Sequence, residues 1–404
     1  MLGLCRSQTW LAVAQFRRTT MSLTINHQTN DISATGSGSV TIDGNAAGGL
    51  TGLTISGSPY TVALGVGALQ VPPTGVNNVG IGFSTAYSMT SGRYNSYMGA
   101  YAGYATTTAV FNVGIGYGSL DAVTTGNENI GIGPDSGSSI TTATRNICVG
   151  SSAMSTHTGN SNIAIGFQAM YAGGTGANNV AIGTGSCRSL TGGHTNVAIG
   201  EYTLNQTTSG EGNVAVGADA LRANTTGNGS TAVGEDAGKG NTTGVNNTYM
   251  GHQAGNSVTT GDNNTIIGYD ADATSVTVDN QITLGNSSVE TLRCQVTSIT
   301  SLSDARDKTN VAQLRAGLEF VERLAPVSFD WNMRDGGKVG VADTGFIAQD
   351  LQQVQQDTGV EIPGLVFDDN PDKLEAAYGK LVPVLVQALK ELSAKVTALE
   401  AQIN

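Results

Sequence analysis

The residues with the clearest potential for chemistry are a serine and a lysine five positions apart. Ser303 opens the stretch SDARDK, and Lys308 ends it. A neutral lysine amine that removes the hydroxyl proton of a nearby serine turns that serine into a nucleophile, as in a Ser–Lys dyad. Such spacing is common, however, and a solvated polar turn has the same composition. The stretch therefore indicates either an activated serine or a surface turn.

Cysteine and histidine, the residues that most often bind metals, show no metal-site spacing. There is no CxxC pair among the cysteines, and the histidines are scattered; they are Cys5, Cys148, Cys187 and Cys294, and His27, His157, His194 and His252. We expect free, buried thiols, as in a protein assembled in a reducing cytoplasm. We expect neither a metal nor a cofactor.

The composition excludes several classes of protein. The 404 residues include 56 glycines, but glycine does not recur at every third position, so the chain is not collagen-like. Only 12% of the residues are charged and the net charge is −12, which argues against a nucleic-acid partner. No apolar stretch is long enough for a membrane-spanning helix. A glycine excess of this size indicates a repeat with many tight turns.

A repeat of 17 residues, with one step of 16, runs through the middle of the chain. Each unit resembles N-V-A-I-G and closes on a glycine: Gly65, Gly82, Gly99, Gly116, Gly133, Gly150, Gly166, Gly183, Gly200, Gly217, Gly234, Gly251, Gly268 and Gly285. An aliphatic residue or methionine precedes every one of these glycines, and a small residue follows three positions later. Asparagine stands four positions before the glycine in eleven units: Asn78, Asn95, Asn112, Asn129, Asn146, Asn162, Asn179, Asn196, Asn213, Asn247 and Asn264.

These columns predict a β-solenoid over residues 58–286, with one coil per repeat. The alternating N-V-A-I stretch forms a short strand, and the glycine permits a positive φ at the corner. The asparagines are expected to stack from coil to coil as an amide ladder. The aliphatic columns are expected to form the core. At about 4.8 Å per coil, fourteen coils give a rod of roughly 65–70 Å.

Each coil offers few large apolar side chains, so we expect three chains to share one core. The repeat resembles the head repeats of trimeric autotransporter adhesins and of many phage tail fibres, over about residues 58–288. That resemblance implies a trimeric left-handed β-roll, although a 17-residue period is longer than adhesin heads usually show. Variable positions such as Tyr101, Tyr104, Tyr171 and Tyr202 are candidates for glycan binding, but the sequence shows no ordered constellation of them. No paired carboxylates on neighbouring coils suggest a glycosidase.

The chain changes character at about residue 300. Residues 303–404 hold 26 of the 50 charged residues. The neck at 287–302 alternates and predicts a strand or a threaded segment. Near the C-terminus, apolar residues spaced alternately four and three apart predict a coiled coil over 378–404: Tyr378, Val382, Leu385, Leu389, Leu392, Val396, Leu399 and Ile403. The alternative is one amphipathic helix packed on its own domain.

Four sequence blocks after residue 302 carry a second resemblance. They are SDARDKTNV, GLEFVERLAPVSFDW (317–331), TGFIAQDLQQV (344–354) and YGKLVPVLVQALKEL (378–392). In this order they resemble the C-terminal intramolecular chaperone domain of phage tailspikes and fibres of the endosialidase type, over all of residues 303–404. One departure is Asp350, where that family often has glutamate. The resemblance implies a small α+β domain that ends in a coiled-coil helix.

The resemblance also implies a self-cleavage reaction. Once the trimer has folded, Ser303 attacks the carbonyl of Leu302, Lys308 serves as the base, and water releases the chaperone from an ester. Asp304 and Arg306 would organise the turn, although a purely structural pairing is equally consistent with the motif. A removable clamp suits a long repeat, because slippage by one coil would satisfy almost the same columns. Removing it afterwards leaves a kinetically stable product.

The resulting hypothesis is a homotrimeric phage tail fibre, assembled in the host cytoplasm and carried on the virion. Residues 1–20 are expected to be a non-native or disordered extension, and residues 21–57 to attach to other virion tail proteins. A host cell-surface receptor or glycan is the other expected partner. We expect the fibre neither to insert into a membrane nor to act on external substrates. The alternative is a trimeric bacterial surface adhesin, which predicts a signal peptide and a membrane barrel; neither is visible in the sequence.

Overall fold

The computed structural model describes residues 22–26, 31–35, 61–70, 74–289, 291–293, 295, 303–334, 338–368, 370 and 372–403. The chain divides into two compact units, Met1–Ser56 and Gly57–Asn404. In the first unit, strand β1 (Ser22–Asn26) pairs antiparallel with β2 (Asp31–Thr35). The predicted extension at 1–20 lies outside the described residues.

A parallel sheet of three-residue strands forms the repeat region. Over the described residues between 61 and 289 its strands lie in sequence order: β3 Val62–Leu64, β4 Val79–Ile81, β5 Ser96–Met98, β6 Val113–Ile115, β7 Ile130–Ile132, β8 Ile147–Val149, β9 Ile163–Ile165, β10 Val180–Ile182, β11 Val197–Ile199, β12 Val214–Val216, β13 Thr231–Val233, β14 Thr248–Met250, β15 Thr265–Ile267 and β16 Ile282–Leu284. Equivalent residues pair in register, as Ala181 does with Ala198. The predicted β-solenoid of 17-residue coils is confirmed, while its handedness stays a prediction.

The closing glycines occupy corners that other residues cannot. From Gly65 to Gly268 their φ angles lie between 123° and 138°, a region that side chains rarely adopt. A Cβ atom on Gly183 would lie only 2.3 Å from the carbonyl oxygen of Gly200 in the next coil. The positive φ is as predicted, and the close stacking of coils is a second reason that glycine is required here.

The asparagine ladder is present and makes more bonds than an amide stack alone. The Nδ2 group of Asn129 donates to Asn112 Oδ1 at 3.1 Å and to the carbonyl of Ala143 at 2.9 Å. Its Oδ1 accepts from both the main-chain N–H and the Nδ2 group of Asn146. Each buried amide thus joins three coils and also pairs main-chain groups that the short strands leave free.

The prediction that the aliphatic columns form the solenoid core is wrong for the single chain. The middle residue of each strand points inward, and Ala181, Ala198 and Ala215 are fully buried. The first and third residues of these strands therefore face outward, and Ile199 is 38% exposed. The third residues of β3–β16, all aliphatic or methionine, form a continuous column that we call the aliphatic stripe. Alternation shows which residues share a face, but it does not show which face is inside.

The solenoid interior is filled by small residues and by a column that the sequence analysis did not identify. This column lies four residues after the closing glycine, and its large members are fully buried: Leu120, Met154, Met170, Leu204 and Leu221. The small middle residues leave room for these side chains, as where Leu120 packs against Gly131. The narrow interior is thus closely packed because small strand residues face the large residues of this column.

The C-terminal region is a small α+β domain, as predicted. Among its described residues, the elements are α1 Leu318–Glu322, the antiparallel hairpin β17 Val327–Asn332 and β18 Val339–Gly345, α2 Ala348–Thr358, the antiparallel pair β19 Val366–Phe367 and β20 Glu375–Ala376, and α3 Leu381–Ile403. Its core centres on Phe320, Leu351, Leu365 and Val384. No helix of the described residues is long and apolar enough to cross a membrane. The described neck residues 287–289, 291–293 and 295 form no strand.

Helix α3 packs on its domain through a face other than the predicted seam. Its buried residues are Leu381, Val384 and Ala388. The predicted seam is exposed along its whole length, from Val382 at 59% to Ile403 at 85%. Tyr378 belongs to a 3-10 turn that precedes the helix, so the α-helix begins at Leu381 rather than at 378. The seam is thus a second apolar surface that the single chain leaves uncovered.

The cysteines that the structure describes agree with the prediction of free, buried thiols. Cys148 and Cys187 are free and lie inside the solenoid, and burial raises the pKa of each thiol to about 12. Both are therefore protonated and unreactive at neutral pH. Cys5 and Cys294 lie outside the described residues.

Candidate functional site

The candidate site is a tight turn at the start of the C-terminal domain. Residues Ala305–Asp307 form a 3-10 turn, and the Asp304 side chain caps it by accepting from the Arg306 N–H at 2.9 Å. The N–H of Lys308 closes the turn on the carbonyl of Ala305. Aspartate is a favoured residue at this capping position because its short carboxylate reaches the free N–H groups of the first turn. The turn folds the chain back so that its two ends meet.

The two candidate catalytic residues lie at these ends and touch. Lys308 Nζ lies 2.6 Å from Ser303 Oγ and 3.4 Å from the carbonyl oxygen of Ser303. This distance is within the range at which an amine accepts a hydroxyl proton. A charged ammonium donates in such a bond, so Lys308 has to lose a proton before it can act as the base.

Asp304 and Arg306 form an ion pair beside these residues. The guanidinium Nε of Arg306 donates to both carboxylate oxygens of Asp304, at 3.0 and 3.1 Å. The pKa of Asp304 is held below its usual value. The main cause is the hydrogen bonding of the Arg306 side chain, and the main-chain N–H of Arg306 contributes further. The pair and the cap stabilise the turn, and neither side chain is hydrogen-bonded to Ser303 Oγ.

The site is open to water in the single chain. Ser303 and Lys308 are both exposed, and the turn between them contains no buried residue. The nearest core residue along the chain is Ala316. Leu302, whose carbonyl is the predicted target of attack, lies outside the described residues. The geometry of the nucleophile and its partner is therefore described, and that of the bond to be cut is not.

Glu391 joins two helices of the C-terminal domain and was not predicted from the sequence. The Glu391 carboxylate on α3 accepts from the N–H of Leu318 at 2.8 Å, at the start of α1. This main-chain bond is the chief reason that the pKa of Glu391 is lowered. The residue before α1, Gly317, has no side chain to cap the helix, which was a signal that an acceptor comes from elsewhere. Glu391 lies off the predicted apolar seam, so the spacing of the seam residues did not indicate this role.

Tyr378 also has a different role from the predicted one, which was to begin the apolar seam of the coiled coil. Its hydroxyl donates to the carbonyl of Phe346 at 2.9 Å and accepts from the Phe346 N–H at 3.2 Å. The two rings pack edge to face. Tyr378 therefore joins the end of β18 to the start of α3.

Comparison with known proteins identifies the region that contains this site. Residues 303–360 match the family model described as chaperone of endosialidase, a peptidase family. No curated protein and no solved structure matches the chain. The matched range begins at Ser303 and extends through α1, the β17–β18 hairpin and α2. The predicted resemblance is thus confirmed over residues 303–360, which contain the first three sequence blocks, and the family implies an autoproteolytic chaperone activity. Together with the β-solenoid, this fits a phage tail fibre with an intramolecular chaperone.

Proposed function

We propose that the protein is a homotrimeric phage tail fibre whose C-terminal chaperone cuts itself off between Leu302 and Ser303. The observation that carries the proposal is the 2.6 Å approach of Lys308 Nζ to Ser303 Oγ, at the first residues of the match to the chaperone family. A solvated polar turn would give no reason for a lysine amine to meet that hydroxyl at that boundary.

The reaction proceeds in two steps. Ser303 Oγ attacks the carbonyl carbon of Leu302, its proton passes to the neutral amine of Lys308, and a tetrahedral intermediate forms. The peptide C–N bond then breaks, and the proton moves to the leaving nitrogen, which becomes the α-amino group of Ser303. An ester now joins the Leu302 acyl group to Ser303 Oγ. Water hydrolyses this ester, leaving a carboxylate on Leu302 and a hydroxyl on Ser303.

The exposure of the site suggests why cutting would follow assembly. A lysine ammonium cannot accept a proton, and burial disfavours the charged form of an amine. A second chain that covers the turn would remove water and favour the neutral amine. The single chain would then stay uncut, and the trimer would activate its own cleavage.

Two uncovered apolar surfaces support the trimer. The aliphatic stripe runs along the sheet from β3 to β16, and the seam of α3 runs along the helix. Both surfaces are continuous and repeat regularly, and apolar surface of this extent normally marks an interface. Three parallel copies would bury both, with the seam as the clamp that sets the register and the stripe as the shaft interface.

On the virion, the two ends of the fibre would have different partners. The region at 21–57 would attach to other tail proteins, and the solenoid would present a surface to the host-cell receptor or glycan. In this scheme assembly takes place in the host cytoplasm, the 102 residues from Ser303 onward are released, and the mature fibre remains on the particle.

Intact mass spectrometry with light scattering tests the proposal. The full chain should yield a trimer together with a fragment that begins at Ser303. The Ser303→Ala variant should form the same trimer and remain uncut, whereas Ser328→Ala, which removes an exposed hydroxyl elsewhere in the domain, should be cut normally. An uncut wild-type trimer, or cleavage of Ser303→Ala at residue 302, would overturn the cleavage mechanism. A monomeric product would overturn the proposal of a trimeric fibre.

A further inference from the structure

One corner of the solenoid carries five aromatic rings over three consecutive coils. We call this group the aromatic patch: Phe83, Tyr87, Tyr101, Tyr104 and Tyr117. Tyr101 is at its centre, with ring centroids 5.4 Å from Phe83, 5.9 Å from Tyr104 and 5.8 Å from Tyr117, all edge to face. Tyr87 stacks on Tyr104 at 5.3 Å. The coil repeat thus gathers residues that are up to 34 positions apart in the sequence.

The patch presents its rings to solvent. Phe83 is 50% exposed and Tyr117 is 58% exposed, and Tyr101 and Tyr104 are also exposed. Among the described residues, no hydrogen bond joins a hydroxyl of these tyrosines to another group of the chain. The rings therefore offer both apolar faces and free hydroxyl groups, the combination that gives tyrosine its value in recognition surfaces.

The backbone gives no reason for tyrosine at the central position. Tyr101 has a φ of 60°, a left-handed conformation that favours glycine and asparagine. The next coil has Gly118 at the equivalent position, also with a positive φ. Since the coil accepts the smaller residue there, the tyrosine side chain, rather than the backbone, accounts for its presence at position 101.

The patch is local, which separates it from an interface that runs along the shaft. Farther along the same columns, single aromatic residues such as Phe167, Tyr171 and Tyr269 are separated by polar or charged ones such as Glu201 and Glu235, and no second group of five rings forms among the described residues. Tyr202 occupies the position equivalent to Tyr101, but the Arg222 guanidinium lies over its ring at 5.4 Å. An interface between parallel chains would repeat in every coil, as the aliphatic stripe does.

A carboxylate with one unpartnered oxygen lies at the edge of the patch. Asp121 continues the column of Tyr87 and Tyr104 by one coil, and its carbonyl accepts from the N–H of Ala105 at 2.8 Å. Its side-chain Oδ1 is buried and has no hydrogen-bond partner among the described residues. Burial, with a smaller contribution from the charge of Asp135, raises the pKa of Asp121. A donor supplied by a ligand would satisfy this oxygen.

We propose that the aromatic patch binds a neutral glycan. Carbon-bound hydrogens on one face of a sugar ring are weakly positive, and they pack on the negative face of an aromatic ring. Sugar hydroxyls would donate to Asp121 and exchange hydrogen bonds with the tyrosine hydroxyls. The acidic pair Asp121 and Asp135 disfavours sialylated or sulfated glycans by like-charge repulsion. The inference rests on the proposed attachment function, for which it names the class of receptor.

Binding of defined oligosaccharides to the assembled full-length protein tests the inference. The probes are cellohexaose, maltohexaose and chitohexaose as neutral glycans, and heparin and polysialic acid as anionic ones, followed by saturation-transfer NMR and calorimetry. At least one neutral probe should bind, and the anionic probes should not. Tyr101→Ala should weaken binding tenfold or more. Tyr202→Ala is the matched control, with the same coil position and backbone conformation, and should leave binding unchanged.

Light scattering on the same samples separates the possible failures. A trimer that binds no neutral probe, or that binds equally well after Tyr101→Ala, overturns the glycan site and leaves the fibre intact. Loss of the trimer in Tyr101→Ala, without any glycan binding by the wild type, makes the patch a subunit contact and also overturns the inference. A wild-type monomer that still binds a neutral probe supports the patch and contradicts the fibre.

Discussion

Lys308 Nζ lies 2.6 Å from Ser303 Oγ, and the main chain of Lys308 closes the 3-10 turn that brings the two together. If the lysine acts as a base, a side chain that stays charged cannot replace it. Lys308→Arg keeps the positive charge, but a guanidinium does not deprotonate in proteins. We therefore expect a trimer that stays uncut in intact mass spectrometry.

The matched control is Lys380→Arg, at the exposed lysine that ends a second 3-10 turn, Tyr378–Lys380. This variant should be cut like the wild type. Normal cleavage of Lys308→Arg would show that the lysine only positions Ser303, and the proposed proton transfer would then be wrong.

The closing glycines predict a large difference between two Gly→Ala variants in the same coil. Gly183 has a φ of 131° and would place a Cβ 2.3 Å from the Gly200 oxygen, whereas a Cβ on Gly192 would meet nothing within 4 Å. Gly183→Ala should lower the free energy of unfolding by on the order of 3 kcal/mol per chain, through backbone strain and the displaced coil. Gly192→Ala should be close to neutral. Equal thermal midpoints for the two variants would contradict this account of the corners.

The asparagine ladder predicts that alanine and serine at position 129 lower the free energy of unfolding by different amounts. Alanine there leaves the N–H of Asn146, its Nδ2 group and the carbonyl of Ala143 without their bonds to the amide, which should cost about 2–4 kcal/mol. Serine should cost less, because the natural ladder already contains Ser230, whose hydroxyl accepts from the N–H of Asn247 at 3.2 Å. Denaturant unfolding of both variants measures the difference. Serine that destabilises as much as alanine would show that the hydroxyl does not replace the amide.

Sequence periodicity was enough to predict the ladder and the corners, since Asn129 and Gly183 each interact with their own equivalents in the next coil. It did not show that Ile199 faces outward. Alternation along a strand shows which residues share a face, but it is the same whether that face lies inside or outside the solenoid. It also missed the bond from Glu391 to Leu318, which joins residues 73 positions apart. The aromatic patch depends on how the corners of three coils fit together, so the spacing of its tyrosines did not reveal it.

The aliphatic stripe predicts that a single outward charge would prevent assembly. Ile199→Asp places a carboxylate on the proposed interface, where burial without a partner is strongly unfavourable, but in the single chain the side chain is exposed. Light scattering should therefore show loss of the trimer. Thr195→Asp, at an exposed turn position in the same coil, should assemble normally. A stable trimer of Ile199→Asp would place the interface elsewhere.

His157 predicts a pH-dependent stability at the one 16-residue step. Its Nε2 lies 2.9 Å from the carbonyl oxygen of Gly176, while Nδ1 is buried and has no hydrogen-bond partner among the described residues. The neutral ring therefore fits the site, and a second proton would add a buried charge. Burial is the main cause that lowers the pKa of His157 below its usual 6.5.

Because the folded pKa is below the unfolded one, the stabilisation by neutral His157 is complete above about pH 6.5 and is lost as the pH falls through the folded value. The apparent Tm at one scan rate should therefore decrease between pH 7.5 and 5.5. His157→Ile removes the titrating group and copies Ile140, which is buried at the same position one coil earlier. Its Tm should change less over that range. An equal decrease in both proteins would assign the pH dependence to other groups, and a wild-type Tm that rises on acidification would reverse the sign of the proposed linkage.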